Sequence, residues 1–313
     1  MKNIKIETKG FQHQLLTPNT VTTDIPNIVW VNGGPGVPLL PQLPYEAAKN
    51  IQKYTIWYWE QPGVGSNYRF SNNKTIYKNQ YTVDLLIESL HAAVQAVQKV
   101  SDQKVILISE SFGTLITFLY AQKYPENLLG LISISQFVSI SSGLKISSNI
   151  LSPKLNKLEK LLLKFSLAHL NNEFGYIYFN SLVRKYKGYI HQRQANSILK
   201  HYVFRIKTIF SKKNKYNCWQ FLIDPLFQIR NLKKELLQTD LRNYSSALNI
   251  PWLVCSGKYD LLLPTELATE FFNMVKCQNK KIVIFSNSAH LPQIEENAKY
   301  SEVINQFIRN LAL

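Results

Sequence analysis

The chain has 313 residues, 45% of them hydrophobic and 12% aromatic, and carries 36 Lys and Arg against 20 Asp and Glu, a net charge of +16. This content is ample for a core, and the length suits one α/β domain with an inserted subdomain. No run approaches 18 consecutive apolar residues, which excludes a spanning helix, and residues 1–14 mix Lys2, Lys5, Glu7 and Lys9 without an apolar stretch, so a secretory signal is not expected.

In chain order, residues 4–16 read as an edge strand pair and residues 27–31 as a buried strand running into Asn32, Gly33, Gly34, Pro35 and Gly36. Residues 54–59 form another strand. Residues 82–100 have helical spacing, with Leu85, Leu86, Leu90, Ala93, Val94 and Val97 on one side. The apolar run 105–108 then leads through Ser109, Glu110, Ser111, Phe112 and Gly113 into a helical stretch over 114–124, and 128–135 is a further strand. Strand signals stop at residue 137, and Lys-rich helical segments, among them 154–170 and 179–210, replace them until about residue 249. Strands return at 250–256 and 281–285, and a helix over 295–311 closes the chain. Alternating strands and helices predict a mostly parallel sheet covered on both faces. The expected organisation is a core of residues 1–136 and 249–313 and a helical cap of residues 137–248.

The chemistry concentrates at strand ends. A strand that turns abruptly into a helix at a small-x-Ser-x-Gly sequence holds its central serine on a strained bend with the hydroxyl exposed, which makes Ser111 the candidate nucleophile. Its first position is Ser109 rather than glycine. A serine hydroxyl needs an imidazole to take its proton and a carboxylate to fix the imidazole tautomer. Asp260 lies just past the strand 250–256, and His290, in the loop after 281–285, is the only histidine downstream of it. Backbone N–H groups of Phe112, the residue after the nucleophile, and of Gly34, in the glycine-rich loop, are the candidate oxyanion donors. The reaction implied is acyl transfer, with no metal or organic cofactor.

Of the charge, 19 Lys and Arg against five acids fall in residues 137–245, giving +14 of the chain's +16. A solvated lysine-rich face accounts for it. The alternative is contact with a membrane surface through Lys154, Lys157, Lys160 and Lys164, which interleave with Leu155, Leu158, Leu162 and Phe165. No nucleic-acid recognition motif accompanies the charge. Cys218, Cys255 and Cys277 are odd in number and lack metal spacing, and read as buried thiols of a reducing, cytoplasmic compartment.

NGGPG at residues 32–36, YWEQPGVGSN at 58–67, the turn at Ser111, Asp260 and His290 together resemble the proline iminopeptidase branch of the α/β-hydrolases. The resemblance spans about residues 20–135 and 248–313. It implies the α/β-hydrolase fold with a helical cap, the triad Ser111, Asp260 and His290, the oxyanion donors Gly34 and Phe112, and action on a short peptide or other small substrate. Asn32, Glu60 and Pro62 stand where that branch has histidine, aspartate and arginine. WVNGGPG, EQP and SESFG also resemble the serine carboxypeptidases, and this likeness implies substrate contacts for Asn32 and Glu110. Glu173 is the best candidate in the cap for binding a free amine, the group that aminopeptidases of the resembled branch hold with cap glutamates. An ester hydrolase on the same scaffold is the alternative activity.

Overall fold

The computed structural model describes residues 2–17, 21, 25–36, 54–64, 80–168, 173–192, 230–244 and 247–311. Cys218 and most of the 179–210 segment lie outside them, as do residues 65–67. Among the described residues eight strands form one sheet: β1 (Lys2–Thr8), β2 (Phe11–Thr17), β3 (Asn27–Val31), β4 (Thr55–Glu60), β5 (Val105–Glu110), β6 (Leu128–Ile134), β7 (Trp252–Gly257) and β8 (Lys280–Phe285). Their order is β1-β2-β4-β3-β5-β6-β7-β8. The hairpin β1–β2 is antiparallel and β2 meets β4 antiparallel, while every pairing from β4 to β8 is parallel.

The period-2 alternation of strand side chains sorts the apolar residues onto two buried faces. Val29, Val31, Trp57, Trp59, Leu107, Leu131 and Val254 share one cluster with the helices α1 (Val83–Ser101) and α2 (Phe112–Lys123). Ile28, Trp30, Ile56, Tyr58, Ile106, Ile132 and Leu253 point the other way, toward the late helix described below. Helix α1 starts and stops for identifiable reasons. Thr82 caps α1 by accepting from the Leu85 N–H at 3.1 Å, and Asp102 ends it in the left-handed region at φ 52°.

After β6 the described residues include α3 (Ile140–Leu151), α4 (Lys157–Ala168) and α5 (Glu173–Lys185). The helical segment expected from residue 154 begins later, because Pro153 sits in a 3-10 turn at Ser152–Lys154. Asn156 then opens α4 with a reciprocal box: its Oδ1 accepts from the Glu159 N–H at 2.9 Å, while Glu159 Oε2 accepts from the Asn156 N–H at 3.0 Å. Glu159 also accepts from Lys185 Nζ at 2.5 Å and Tyr186 Oη at 2.9 Å, tying α4 to α5. These contacts hold its carboxyl down at about 2, the Lys185 hydrogen bond contributing most.

The expected helix over 179–210 is corrected, since α5 ends at Lys185. The Gly188 N–H donates to Val183 O and the Lys187 N–H to Arg184 O, with Lys187 left-handed at φ 59°. This is a Schellman ending with lysine where glycine would announce the stop. Residues 230–238 are helical and form α6, followed after β7 by α7 (Thr265–Met274), and after β8 by α8 (Pro292–Glu295) and α9 (Asn297–Leu311). The closing helix is thus two, and α9 covers the second sheet face with Tyr300, Ile304, Phe307 and Ile308. No helix among the described residues is long and apolar enough to cross a membrane.

Candidate active site

After β3 the chain moves to one side of that strand and after α1 it returns on the other, so the ends of β3 and β5 flank the point where the strand order reverses. Open parallel sheets bind ligands in the crevice at such a point. Ser111 sits there, between β5 and α2, at φ 52° and ψ −125°. An L-residue in a sparsely populated region of this kind costs about 1–3 kcal/mol, and persists only when its surroundings enforce it. Here they do: the Ser111 N–H donates to Ile134 O of β6 at 2.9 Å, and its carbonyl accepts from the Thr114 N–H at 2.9 Å and Thr114 Oγ1 at 2.6 Å. The Ser111 side chain makes no capping bond to α2.

Glycines allow the close approach. A β-carbon on Gly33 would stand 2.9 Å from Ser111 Cβ, and one on Gly113 would stand 2.6 Å from Asn32 O and 2.7 Å from Val31 O. The Asn32–Gly36 loop therefore lies directly against the bend. Ser109, the departure from glycine in the turn motif, shares a buried 2.7 Å hydrogen bond with Thr117 Oγ1 of α2, so its hydroxyl has a packing role.

Asp260 and His290 come from the ends of β7 and β8. His290 Nδ1 and Asp260 Oδ2 are 2.8 Å apart, and both residues are buried. Asp260 Oδ1 accepts from the Leu262 and Leu263 N–H groups at 2.8 and 2.9 Å, which fixes the carboxylate plane. A carboxylate only accepts, so in this pair the ring proton belongs on Nδ1, the arrangement that leaves Nε2 of an uncharged ring free to accept. A β-carbon on Gly257 would fall 1.9 Å from Ala289 O, so the turn before Asp260 and the loop before His290 are in direct contact.

The histidine loop is held from three directions. Glu296 Oε2 accepts from the Asn287 N–H at 2.9 Å and Ser288 Oγ at 2.7 Å, and Glu295 Oε1 accepts from the Ala289 N–H at 2.8 Å. Ser135 Oγ donates to His290 O at 2.9 Å. The His290 N–H donates to Tyr189 O at 3.1 Å, and the Tyr189 ring stacks on the imidazole at 5.4 Å. Tyr189, Ser135, Glu295 and Glu296 carry no periodic or motif signal, and sequence reasoning missed them all.

The other expected site residues stand as follows. Phe112 opens α2, where the first backbone N–H groups have no partner within the helix. Gly34 lies in the loop after β3 at φ 133°, joined to Pro35 by a cis bond. Asn32 is 3% exposed; its carbonyl accepts from Gln61 Nε2 at 3.1 Å, and its Nδ2 has no hydrogen-bond partner among the described residues. Glu110 is half-buried and accepts from Gln293 Nε2 of α8 at 2.9 Å. Glu173 is the first residue of α5, and its side chain lies outside the described residues. Of the expected thiols, Cys255 is buried but Cys277 is only partly so.

The family model of the alpha/beta hydrolase fold matches residues 26–297. The chain belongs to the α/β-hydrolase family. Among curated proteins it is 24% identical, over 99% of this chain and 96% of the relative, to a Bacillus subtilis protein named "Probable aminopeptidase YbaC". A pimeloyl-[acyl-carrier protein] methyl ester esterase of Hamiltonella defensa is 28% identical over 68% of this chain and 72% of its own. The solved structure of a Mycobacterium smegmatis proline iminopeptidase superposes with a TM-score of 0.72 at 13% identity, covering 99% and 98% of the two chains. That last likeness concerns the fold.

Proposed function

We propose that this α/β-hydrolase is a serine hydrolase working by acyl transfer, with Ser111 as nucleophile, His290 as base and Asp260 as the group that orients it. The observation that carries the reading is the buried 2.8 Å His290–Asp260 pair at the strand-end edge that also holds the strained Ser111. In this mechanism His290 Nε2 takes the Ser111 hydroxyl proton as Oγ attacks a carbonyl carbon. The Gly34 and Phe112 N–H groups receive the developing oxyanion. His290 then returns the proton to the leaving group, the acyl-serine ester remains, and water activated by the same imidazole releases the acid and restores Ser111. Residues 137–248 act as the lid over this site.

The substrate class we favour is a short peptide or amino-acyl amide cleaved at its N-terminal residue, a reading supported by the aminopeptidase relative, which aligns over nearly the whole of both chains. Asn32, whose buried Nδ2 lacks a partner among the described residues, and Glu110 are assigned to substrate contact, and Glu173 to the free amine. Ester hydrolysis is the second reading. It draws on the esterase relative and on the scarcity of acids in residues 137–245, where only five face 19 basic residues. A panel of amino-acyl amides, N-blocked peptides and short and long acyl esters, run on the protein and on Ser111→Ala, separates the two. Loss of turnover on blocking the amine identifies the aminopeptidase, and ester turnover indifferent to an amine identifies the esterase. Full turnover by Ser111→Ala overturns both.

A further inference from the structure

Glu295 is 4% exposed and sits at the end of α8, with both carboxylate oxygens engaged by backbone from distant parts of the chain. Oε1 accepts from the Ala289 N–H at 2.8 Å, next to His290. Oε2 accepts from the His191 and Gln192 N–H groups at 2.6 and 2.7 Å. Those two residues belong to a strap, residues 188–192, that leaves α5 immediately after its Schellman ending. The strap touches His290 and both chain neighbours of Asp260. The Leu261 N–H, next to Asp260, donates to Gly188 O at 3.0 Å, and the His290 N–H donates to Tyr189 O. The Tyr189 ring lies on the His290 ring, with the Arg184 guanidinium of α5 4.1 Å from the tyrosine centroid. The His191 ring stacks on Tyr259 at 3.6 Å, one residue before Asp260.

We propose that Glu295 is a positioning residue that locks the strap to the histidine loop, so that the placement of His290 depends on how the helices leading into the strap are docked. The inference rests on the acyl-transfer reading for its kinetic consequence, but the lock itself does not. Burial acts against it: desolvation pushes the Glu295 carboxyl above the ordinary glutamate range, outweighing its three backbone hydrogen bonds, and Glu296 adds to the rise. The two acceptor oxygens of Glu295 join two sets of donors that a neutral amide of the same shape cannot serve together. A glutamine has one acceptor oxygen and one NH2 group, so it satisfies either Ala289 or the His191–Gln192 pair, and confronts the other with a donor. Lid position and base position are thereby one variable.

The test uses the full chain with residue-resolved amide exchange and steady-state kinetics. Glu295→Gln should raise exchange at Ala289, or at His191 and Gln192, by about tenfold or more. It should lower kcat on a turned-over ester or amide by about 10–100-fold, the loss expected for a catalytic group displaced by about an ångström, with KM changed far less. A second variant, Gln192→Pro, deletes one strap N–H and leaves Glu295, Ala289 and the histidine loop intact. Coupling requires that exchange at Ala289 rise in this variant too. Unchanged exchange at all three amides in Glu295→Gln overturns the lock, and unchanged Ala289 exchange in Gln192→Pro overturns the coupling. An unchanged kcat in Glu295→Gln, with the amides freed, overturns the positioning role. Turnover surviving in Ser111→Ala sinks the acyl-transfer reading instead, and the exchange results still decide the lock.

Discussion

Replacing Ser111 by glycine and by alanine should separate the energetic cost of the bend from its chemical use. Both variants lose the hydroxyl, so both should lose kcat by something on the order of 10⁶, the scale for deleting a serine nucleophile that works as a unit with its base. They should differ in stability. At φ 52° and ψ −125° the backbone is held where a β-carbon is disfavoured, at a cost of about 1–3 kcal/mol that alanine keeps and glycine sheds. Glycine in turn loses about 0.5–1 kcal/mol through the greater freedom of its unfolded chain. The balance leaves Ser111→Gly more stable than Ser111→Ala by about 1 kcal/mol. Urea titration reads this difference directly as a shift in midpoint at equal slope. Equal midpoints, or a less stable glycine variant, would show that the bend is not strained and would remove the main physical reason for singling out this serine.

Three further substitutions probe the surroundings. Gly33→Ala puts a methyl 2.9 Å from Ser111 Cβ and 3.1 Å from Glu110 O; both are rigid atoms, so we expect a loss of about 1–3 kcal/mol of stability together with reduced kcat, measured by denaturation and turnover. Asp260→Asn can keep the Leu262 and Leu263 bonds through Oδ1 only by turning its NH2 toward His290 Nδ1. The ring proton then moves to Nε2, which can no longer accept, and kcat should fall by about 10⁴ while the fold survives. His13, 1% exposed in β2, has its imidazole pushed down to about 4 by burial, and its Nδ1 accepts from Trp59 Nε1 at 3.1 Å. A depressed base contributes stability that is present above its unfolded value of 6.5 and lost as pH falls toward about 4. The loss is about 3 kcal/mol. Urea midpoints of His13→Gln should therefore fall less between pH 7 and pH 4.5 than those of the parent, and parallel curves would refute the buried neutral imidazole.

Local chemistry decided what could be read in advance. The central strands were legible because a strand covered on both faces is a continuous apolar run, as residues 28–31 and 105–108 are. The turn at Ser111 was legible because its constraints fall within five residues, and Asp260 and His290 because each closely follows a strand. Helix ends were harder. α5 stops with Lys187 in the left-handed position, and a lysine there looks like any helical lysine until the backbone is seen. His13 sits between Gln12 and Gln14, and nothing nearby in the chain announces the Trp59 indole, 46 residues away, that donates to its buried Nδ1.

The same distinction explains why Glu295 escaped notice although it lies only five residues after His290. A side chain that bonds backbone N–H groups places no demand on the identity of its partners, so Ala289, His191 and Gln192 carry no trace of the carboxylate that holds them. The parts of an active site that do chemistry need particular side chains and leave a motif. The parts that hold those side chains can be built from backbone, whose donors every residue except proline supplies. Holding the histidine loop through backbone places the demand on one buried acid rather than on the loop's own side chains. For this chain, then, side-chain substitutions at Gln192 that preserve backbone conformation should be tolerated, whereas replacement of Glu295 should not be, nor of Gly188, where a β-carbon would stand 2.4 Å from Leu261 Cβ.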